Sequence, residues 1–101
     1  MSKPTDWLVY HCIDPQKMLS LQPQLWKERE RYYQLVAVVE AETLEEVYRL
    51  TNHIDNDWRE NALVRTIATT PPRSTSVGDV LVNGNGQAWL VACVGFIPLE
   101  D

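Results

Sequence analysis

The sequence predicts an α+β fold in which a mainly antiparallel sheet of four or five strands carries one principal helix on one face. Three observations indicate this fold. Short runs of β-branched and aromatic residues recur along the chain, a capping box opens an amphipathic stretch between them, and an Asn-Gly turn joins two apolar runs near the C-terminus. At 101 residues the chain has the size of one domain, so residues 1–101 are expected to form a single unit.

The first strand is predicted at Trp7–Ile13, a nearly continuous apolar run between Asp6 and Asp14. Because the run is apolar on both sides, both faces of this strand are expected to be covered. Asp14 followed by Pro15 is typical of a helix start, since Asp accepts backbone amides and Pro fits the first helical position. A short helix is therefore expected to run to about Leu21.

The second strand is predicted at Tyr32–Val39, which is rich in β-forming residues. Before it, Pro23 interrupts the preceding helix, and Gln24–Arg31 fits a further helical turn as well as a loop. Within that segment the block Lys27–Arg31 alternates in charge, which is typical of a solvated face rather than a binding patch.

The principal helix is expected to start after Thr43. The Thr43 hydroxyl can cap the amide of Glu46, and Glu46 can reach back, as in a capping box. The helix is expected to end near His53. Its apolar face toward the sheet consists of Leu44, Val47, Tyr48, Thr51 and Ile54.

Further strands follow the helix. One is predicted at Leu63–Ala68, before two prolines stop strand pairing. The last two form a hairpin between Asp79 and Val94 that turns at Asn83–Gly86, because Asn and Gly tolerate positive φ. This hairpin is expected to close the chain.

The alternative fold is a small, partly closed β-barrel with the helix as a plug. The apolar runs of both terminal strands suggest it. The absence of the C-terminal hairpin, or a helix across residues 79–82, would contradict both folds.

Composition indicates a soluble, cytoplasmic protein. Hydrophobic residues make up 45% and charged residues 23% of the chain, the balance of a globular protein. The longest apolar run, Ala88–Val94, is far shorter than the roughly 20 residues of a membrane-crossing helix, and the N-terminus lacks a signal-peptide pattern. No membrane partner is expected. The net charge of −5 disfavours broad, non-specific attraction to nucleic acid.

The two cysteines, Cys12 and Cys93, lie in separate apolar runs. The favoured interpretation is two reduced thiols in the core, since cysteine outside a disulfide is among the most buried residue types. The alternative is a single bridge between the first and last strands. Their spacing is not that of a metal site.

The C-terminal third carries a recognisable pattern. Residues Arg73–Val82 read Arg-Ser-Thr-Ser-Val-Gly-Asp-Val-Leu-Val, and Trp89–Val91 and Val94–Phe96 follow. This segment resembles the YodL-like domain family, whose members carry a Ser-x-Ser-Val-x-Asp-Val core, a hairpin and a closing Gly-Phe. The resemblance implies a small domain of plasmids, phages and integrative elements, a setting rather than an activity. The sequence departs from the commonest form at Gly78, where many relatives have Ser, and in the two residues before Val94.

The candidate binding surface is placed where the segment Arg73–Asp79 meets the loop Asn52–Trp58. Both segments hold polar or aromatic side chains that strand alternation and helical periodicity do not assign to the core. A guanidinium, hydroxyls and backbone amides can hold phosphate or carboxylate, whereas in the structural interpretation the hydroxyls and Asp79 close a turn. The candidate binding residues are Asn52, His53, Trp58, Arg73, Ser74 and Ser76.

No catalytic residue, metal ligand or cofactor is predicted. His53, Asp55 and Asp57 alternate along one loop, but such residues more often make local turns, and the pattern of a calcium loop is not met. His11 and Cys12 are adjacent on a strand and point to opposite faces, so they do not easily form a nucleophilic pair.

The leading functional hypothesis is a non-catalytic protein-interaction module of a mobile element, with an anti-defence or regulatory role as one version. It rests on the family resemblance and on the absence of a catalytic constellation in the sequence. The alternative is nucleic-acid or nucleotide binding through Arg73–Ser76, with Trp58 as a stacking surface. A hydrolase or transferase has no site assembled in the sequence.

Overall fold

The computed structural model describes residues 5–14, 23–52, 63–66 and 74–99. The strands are β1 (Thr5–Cys12), β2 (Tyr33–Ala41), β3 (Val64–Thr66), β4 (Val80–Val82), β5 (Ala88–Val91) and β6 (Phe96–Leu99). They form one six-stranded antiparallel sheet in the order β3-β2-β1-β4-β5-β6. The α+β class and the hairpin that turns at residues 83–86 are confirmed.

The sheet corrects two expectations. It has six strands rather than four or five, because β6 continues beyond the hairpin that was expected to close the chain. Gly95, with a φ of 75°, turns the chain after β5, and β6 then pairs with β5. The partly closed barrel is wrong, since β3 and β6 lie at opposite edges and the sheet is open.

Within the described ranges, the sheet is accompanied by a 3₁₀ helix (Pro23–Glu28), α1 (Arg29–Tyr32) and α2 (Leu44–Thr51). For Gln24–Arg31 the sequence allows either a helical turn or a loop, and the structure shows that this segment is helical. The short helix expected up to Leu21 lies outside the described residues. Of the helices that the structure describes, none combines the length and the apolar character needed to traverse a bilayer.

The helical segments pack on opposite faces of the sheet. Val47 of α2 lies in one core cluster with Val9 of β1, whereas Trp26 of the 3₁₀ helix lies in a second cluster with Cys12. Since successive side chains of a strand alternate between its faces, Val9 and Cys12 point to opposite sides. The expectation that β1 is covered on both faces is therefore confirmed. The expected helix, α2, covers one face of the sheet, and the 3₁₀ helix covers the other.

Hydrogen bonds near its two ends fix the bounds of α2. Thr43 Oγ1 accepts the amide of Glu46 at 3.2 Å, as the sequence predicts. The helix ends at Thr51 rather than near His53, because the Thr51 carbonyl accepts from the Thr75 amide at 2.8 Å instead of from a further helical turn. The buried side chains of α2 are Val47, Leu50 and Thr51.

A β-bulge determines which side chains of β2 share a face. The register of β1 and β2 shifts between Val9 and Tyr10, where Val36 is the extra residue in β2. Because of this shift, Tyr33 falls on the face covered by the 3₁₀ helix. Its ring packs edge-on against Trp26, with centroids 5.4 Å apart.

The strand β6 is an open edge that contains Pro98. Val91 in β5 makes its backbone hydrogen bonds with Gly78 and Asp79, on the β4 side. Its partner in β6, Phe96, therefore turns its backbone groups toward the open edge, and Pro98, two residues further on, does the same. This is a position where proline is tolerated, because no ladder donor is needed there.

Leu81 in the centre of β4 is fully buried at 0% exposure. We expect Leu81→Ala to lower the free energy of unfolding by about 2–5 kcal/mol, because it leaves a cavity in the core. Val94 is 93% exposed and serves as the control. Val94→Ala should change the free energy of unfolding by less than about 0.5 kcal/mol. Urea denaturation followed by tryptophan fluorescence measures both. Equal effects would contradict the placement of β4 in the core.

Candidate functional site

A buried polar cluster joins the end of β1 to the segment before β4. His11 is 5% exposed, and Thr51, Thr75 and Asp79 are 0% exposed. Each buried side-chain nitrogen and oxygen of the described residues has a hydrogen-bond partner. The polar cluster, defined by these four residues, is therefore compensated within the protein.

The Asp79 carboxylate accepts two backbone hydrogen bonds. Oδ1 accepts from the Cys12 amide at 2.9 Å, and Oδ2 accepts from the Ser76 amide at 2.8 Å. The bond from Ser76 closes the turn that the structural interpretation of the sequence expects. The bond from Cys12 spans 67 positions of sequence and ties that turn to β1. Hydrogen bonds to a carboxylate are stronger than neutral ones, so Asp79 holds two distant segments together.

His11 contacts the same cluster. Its Nε2 lies 3.0 Å from Thr75 Oγ1 and 3.9 Å from Asp79 Oδ2. In a catalytic triad the hydroxyl and the carboxylate contact opposite nitrogens of the imidazole. Here both face Nε2, and all three side chains are buried. This arrangement has the geometry of a structural cluster rather than of a nucleophilic triad.

Tyr33 supports the turn from β2. Its hydroxyl donates to the Gly78 carbonyl at 3.2 Å. Gly78 has a φ of 96°, a left-handed conformation that favours glycine at this position of the turn. Burial, and then the nearby Cys12 and Asp79, raise the pKa of Tyr33 well above its ordinary range. The hydroxyl therefore remains protonated, and able to donate, at pH values above about 10, where an ordinary tyrosine ionises.

The structure brings together part of the predicted binding surface. Asn52 Nδ2 donates to the Thr75 carbonyl and also to the Tyr48 hydroxyl, the latter at 2.9 Å. The end of α2 therefore meets the segment before β4, as the sequence suggests. Ser74 and Ser76 are half-buried in that segment. The other candidate residues lie outside the described residues: His53, Trp58 and Arg73.

The cysteines correct one expectation. Neither is in a disulfide, and Cys12 is buried whereas Cys93 is exposed. The favoured prediction of two reduced thiols is confirmed and the alternative of a bridge is wrong, but Cys93 is not in the core, because β5 ends at Val91 and Cys93 lies in the turn before β6. Over the ranges that the structure covers, no group of three acidic, histidine or cysteine side chains could hold a metal ion. The loop candidates His53, Asp55 and Asp57 lie outside those ranges.

A groove of about 230 Å³ opens between α2 and the β5–β6 turn, and we call it the α2 groove. Tyr48 and Phe96 pack edge to face with centroids 5.9 Å apart and form its aromatic wall. Val94, between the lining residues Cys93 and Gly95 of the turn, is 93% exposed. The rest of the lining comes from Glu45, Val91, Ala92, Cys93 and Gly95.

Sequence reasoning does not find this groove. Periodicity assigns Tyr48 to the helix face against the sheet, and the hairpin pattern assigns Val94 to a strand. In the structure Tyr48 packs against the core as predicted but stays partly exposed, and Val94 lies in a turn. Gly95 is the signal that could have located it, because a glycine after an apolar residue marks a turn.

A larger depression of about 370 Å³ lies over the charged block Lys27–Arg31. The Arg29 guanidinium lies 4.8 Å from the Trp26 ring centre and donates to the Trp26 carbonyl at 3.0 Å. Arg31 and Glu28 form an exposed ion pair at 4.0 Å. Charges of both signs share this surface, which fits the solvated face that the sequence predicts.

We expect Asp79→Asn to lower the free energy of unfolding by about 1.5–3 kcal/mol, the size of a hydrogen bond to a charged group. An amide side chain has one acceptor oxygen, so its NH₂ group would face the amide of either Cys12 or Ser76. The control is Asp6→Asn, which breaks an exposed ion pair with Arg65 at 3.1 Å and should cost about 0–1 kcal/mol. Urea denaturation measures both. Similar losses would show that Asp79 does not hold the two segments.

The raised pKa of Tyr33 predicts a pH dependence of stability. Above its ordinary value of about 10, tyrosine loses its proton in the unfolded state but keeps it in the folded state. The free energy of unfolding should therefore fall as pH rises above about 10, by up to about 1.4 kcal/mol per pH unit from this group. Tyr33→Phe removes this part of the slope. The measurement is the urea midpoint as a function of pH for the wild-type protein and for Tyr33→Phe. Parallel curves would contradict a raised pKa of Tyr33.

Comparisons with known proteins assign no family. A scan of protein-family models, a search of curated proteins and a search of solved structures each find no match. The resemblance of Arg73–Val82 to the YodL-like family gains no support from them, and the functional inference depends on the geometry of the described residues.

Proposed function

We propose that the protein is a non-catalytic protein-interaction module that binds its partner through the α2 groove and the β5–β6 turn. The observation that carries this proposal is the groove walled by Tyr48 and Phe96, together with Val94, which is 93% exposed between the lining residues Cys93 and Gly95. Single exposed apolar residues are common on protein surfaces. An exposed apolar residue next to a concave aromatic site is a more specific feature, because such sites are typical anchors of interfaces.

The hydrogen bonds of Asn52 connect the groove to the surface predicted from sequence. Its side chain bonds to Tyr48, which walls the groove, and to Thr75, which belongs to the segment before β4. The groove and this segment therefore form one continuous surface at the end of α2. A partner that fills the groove can also contact Ser74 and Ser76.

The polar cluster supports a non-catalytic role. Its hydroxyl, imidazole and carboxylate groups are buried and bonded to one another or to the backbone. A substrate would have to displace these bonds to reach them.

The alternative, nucleic-acid or nucleotide binding, has less support. The Ser76 amide would be a natural phosphate donor, but it donates to the Asp79 carboxylate. A second negative charge next to that carboxylate is unfavourable, and the chain as a whole carries a net charge of −5.

The setting of the proposed module follows from the sequence. The resemblance to the YodL-like family supports a cytoplasmic protein of a plasmid, phage or integrative element. An anti-defence or regulatory role is one version of the proposal, in which the partner belongs to the host.

Affinity capture from lysate of the source organism tests the proposal. We expect wild-type protein to retain a partner protein after nuclease treatment, and Val94→Asp to lose it, because the substitution places a charge at the apolar anchor. Asn85→Asp is the matched control, since it adds the same charge to an exposed residue of the other hairpin turn and should retain the partner. Retention of only nuclease-sensitive material, or retention by Val94→Asp, would contradict the proposal.

A further inference from the structure

The α2 groove has room for one large apolar side chain. Its volume is about 230 Å³. A dry protein cavity of roughly 150 Å³ is enough to hold a benzene ring. The groove is lined by two aromatic rings, by Val91 and by Ala92, which are surfaces that favour an aliphatic or aromatic group.

The lining of the groove includes one charged side chain, that of Glu45. Glu45 lines the groove and is exposed, and its carboxylate makes no hydrogen bond or ion pair with any residue of the described ranges. Arg49, one turn along α2, does not approach it within salt-bridge distance. Glu42 is also exposed near the start of α2. Glu45 and Glu46 both lie in the first turn of α2, where the helix dipole stabilises acidic residues, but of the two it is Glu45 that lines the groove.

From this charge we infer that the α2 groove binds a peptide segment with one large apolar residue flanked by lysine or arginine. The inference rests on the proposed function and names the chemistry of its partner. The apolar residue fills the space between Tyr48 and Phe96, and a neighbouring basic residue pairs with Glu45. A second copy of this chain fits less well, since a two-fold contact would bring two acidic rims together.

Selection from a random dodecapeptide phage library tests the inference. The matched negative target is the same protein with Cys93 alkylated by a pyrene maleimide, which places a bulky group in the groove. Cys12 is buried, so labelling is expected at Cys93, and mass spectrometry verifies it. We expect peptides that bind only the unlabelled protein to share an aliphatic or aromatic residue with basic neighbours.

Two charge variants then test the role of the rim. The affinity of a selected peptide, measured by fluorescence anisotropy, should fall about two- to fivefold in Glu45→Gln, the size of an exposed ion pair. Glu46→Gln, which removes the same charge from the same helical turn but away from the groove, should change it by less than about twofold. Equal losses would overturn the pairing with Glu45.

The outcomes separate the inference from the proposed function. Selected peptides with acidic or uncharged flanks that still lose binding on Cys93 labelling would overturn the basic partner while leaving the groove as the interaction site. No groove-dependent peptide at all would overturn the inference, and capture of a folded partner by wild-type but not Val94→Asp protein would still support the interaction module. Failure of both experiments would contradict the proposed function as well.

Discussion

The buried carboxylate of Asp79 is the contact on which the rest of the structure depends. Among the described strands, the sheet consists of two three-stranded halves whose ladders are joined by the pairing of β1 with β4. That ladder has three residue pairs, from Leu8 with Val82 to Tyr10 with Val80. Beyond it, the Asp79 side chain continues the connection by accepting the amide of Cys12. A single acidic group thus extends a short strand pairing and fixes the turn from which β4 starts.

Sequence reasoning succeeds where the determining contact is local. The cap at Thr43 and the hairpin turn at Asn83–Gly86 depend on residues a few positions apart, and both are found where the sequence places them. The bonds of Asp79 with Cys12 and of Thr75 with His11 span 67 and 64 positions, and no periodicity encodes them.

The candidate site shows the same division. Proximity between Asn52 and the segment before β4 follows from a helix packed on a sheet, and it is present. The groove depends on Tyr48 meeting Phe96, which requires β6 to return beside β5. That strand is too short, and too interrupted by Pro98, to stand out in the sequence. The sixth strand and the α2 groove are therefore both missed for the same reason, namely that β6 is not recognised in the sequence.

The cover on both faces restricts where a partner can bind. α2 occupies one face and the 3₁₀ helix the other, so the broad surfaces of the sheet are already used within the chain. What remains is the periphery: the turns, the end of α2 and the open edges. The α2 groove lies at this periphery.

Pro98 affects how readily the edge of the sheet at β6 can aggregate with other chains. An open β-edge with a regular row of amide donors is a template on which identical chains can stack and aggregate. At Pro98 this row lacks a donor on the side that faces away from β5, so a further strand cannot continue the ladder past it. The proline therefore limits the growth of fibrils from the edge strand that carries Phe96, one wall of the α2 groove. We expect selection to keep an edge-breaking residue here for as long as the groove is exposed.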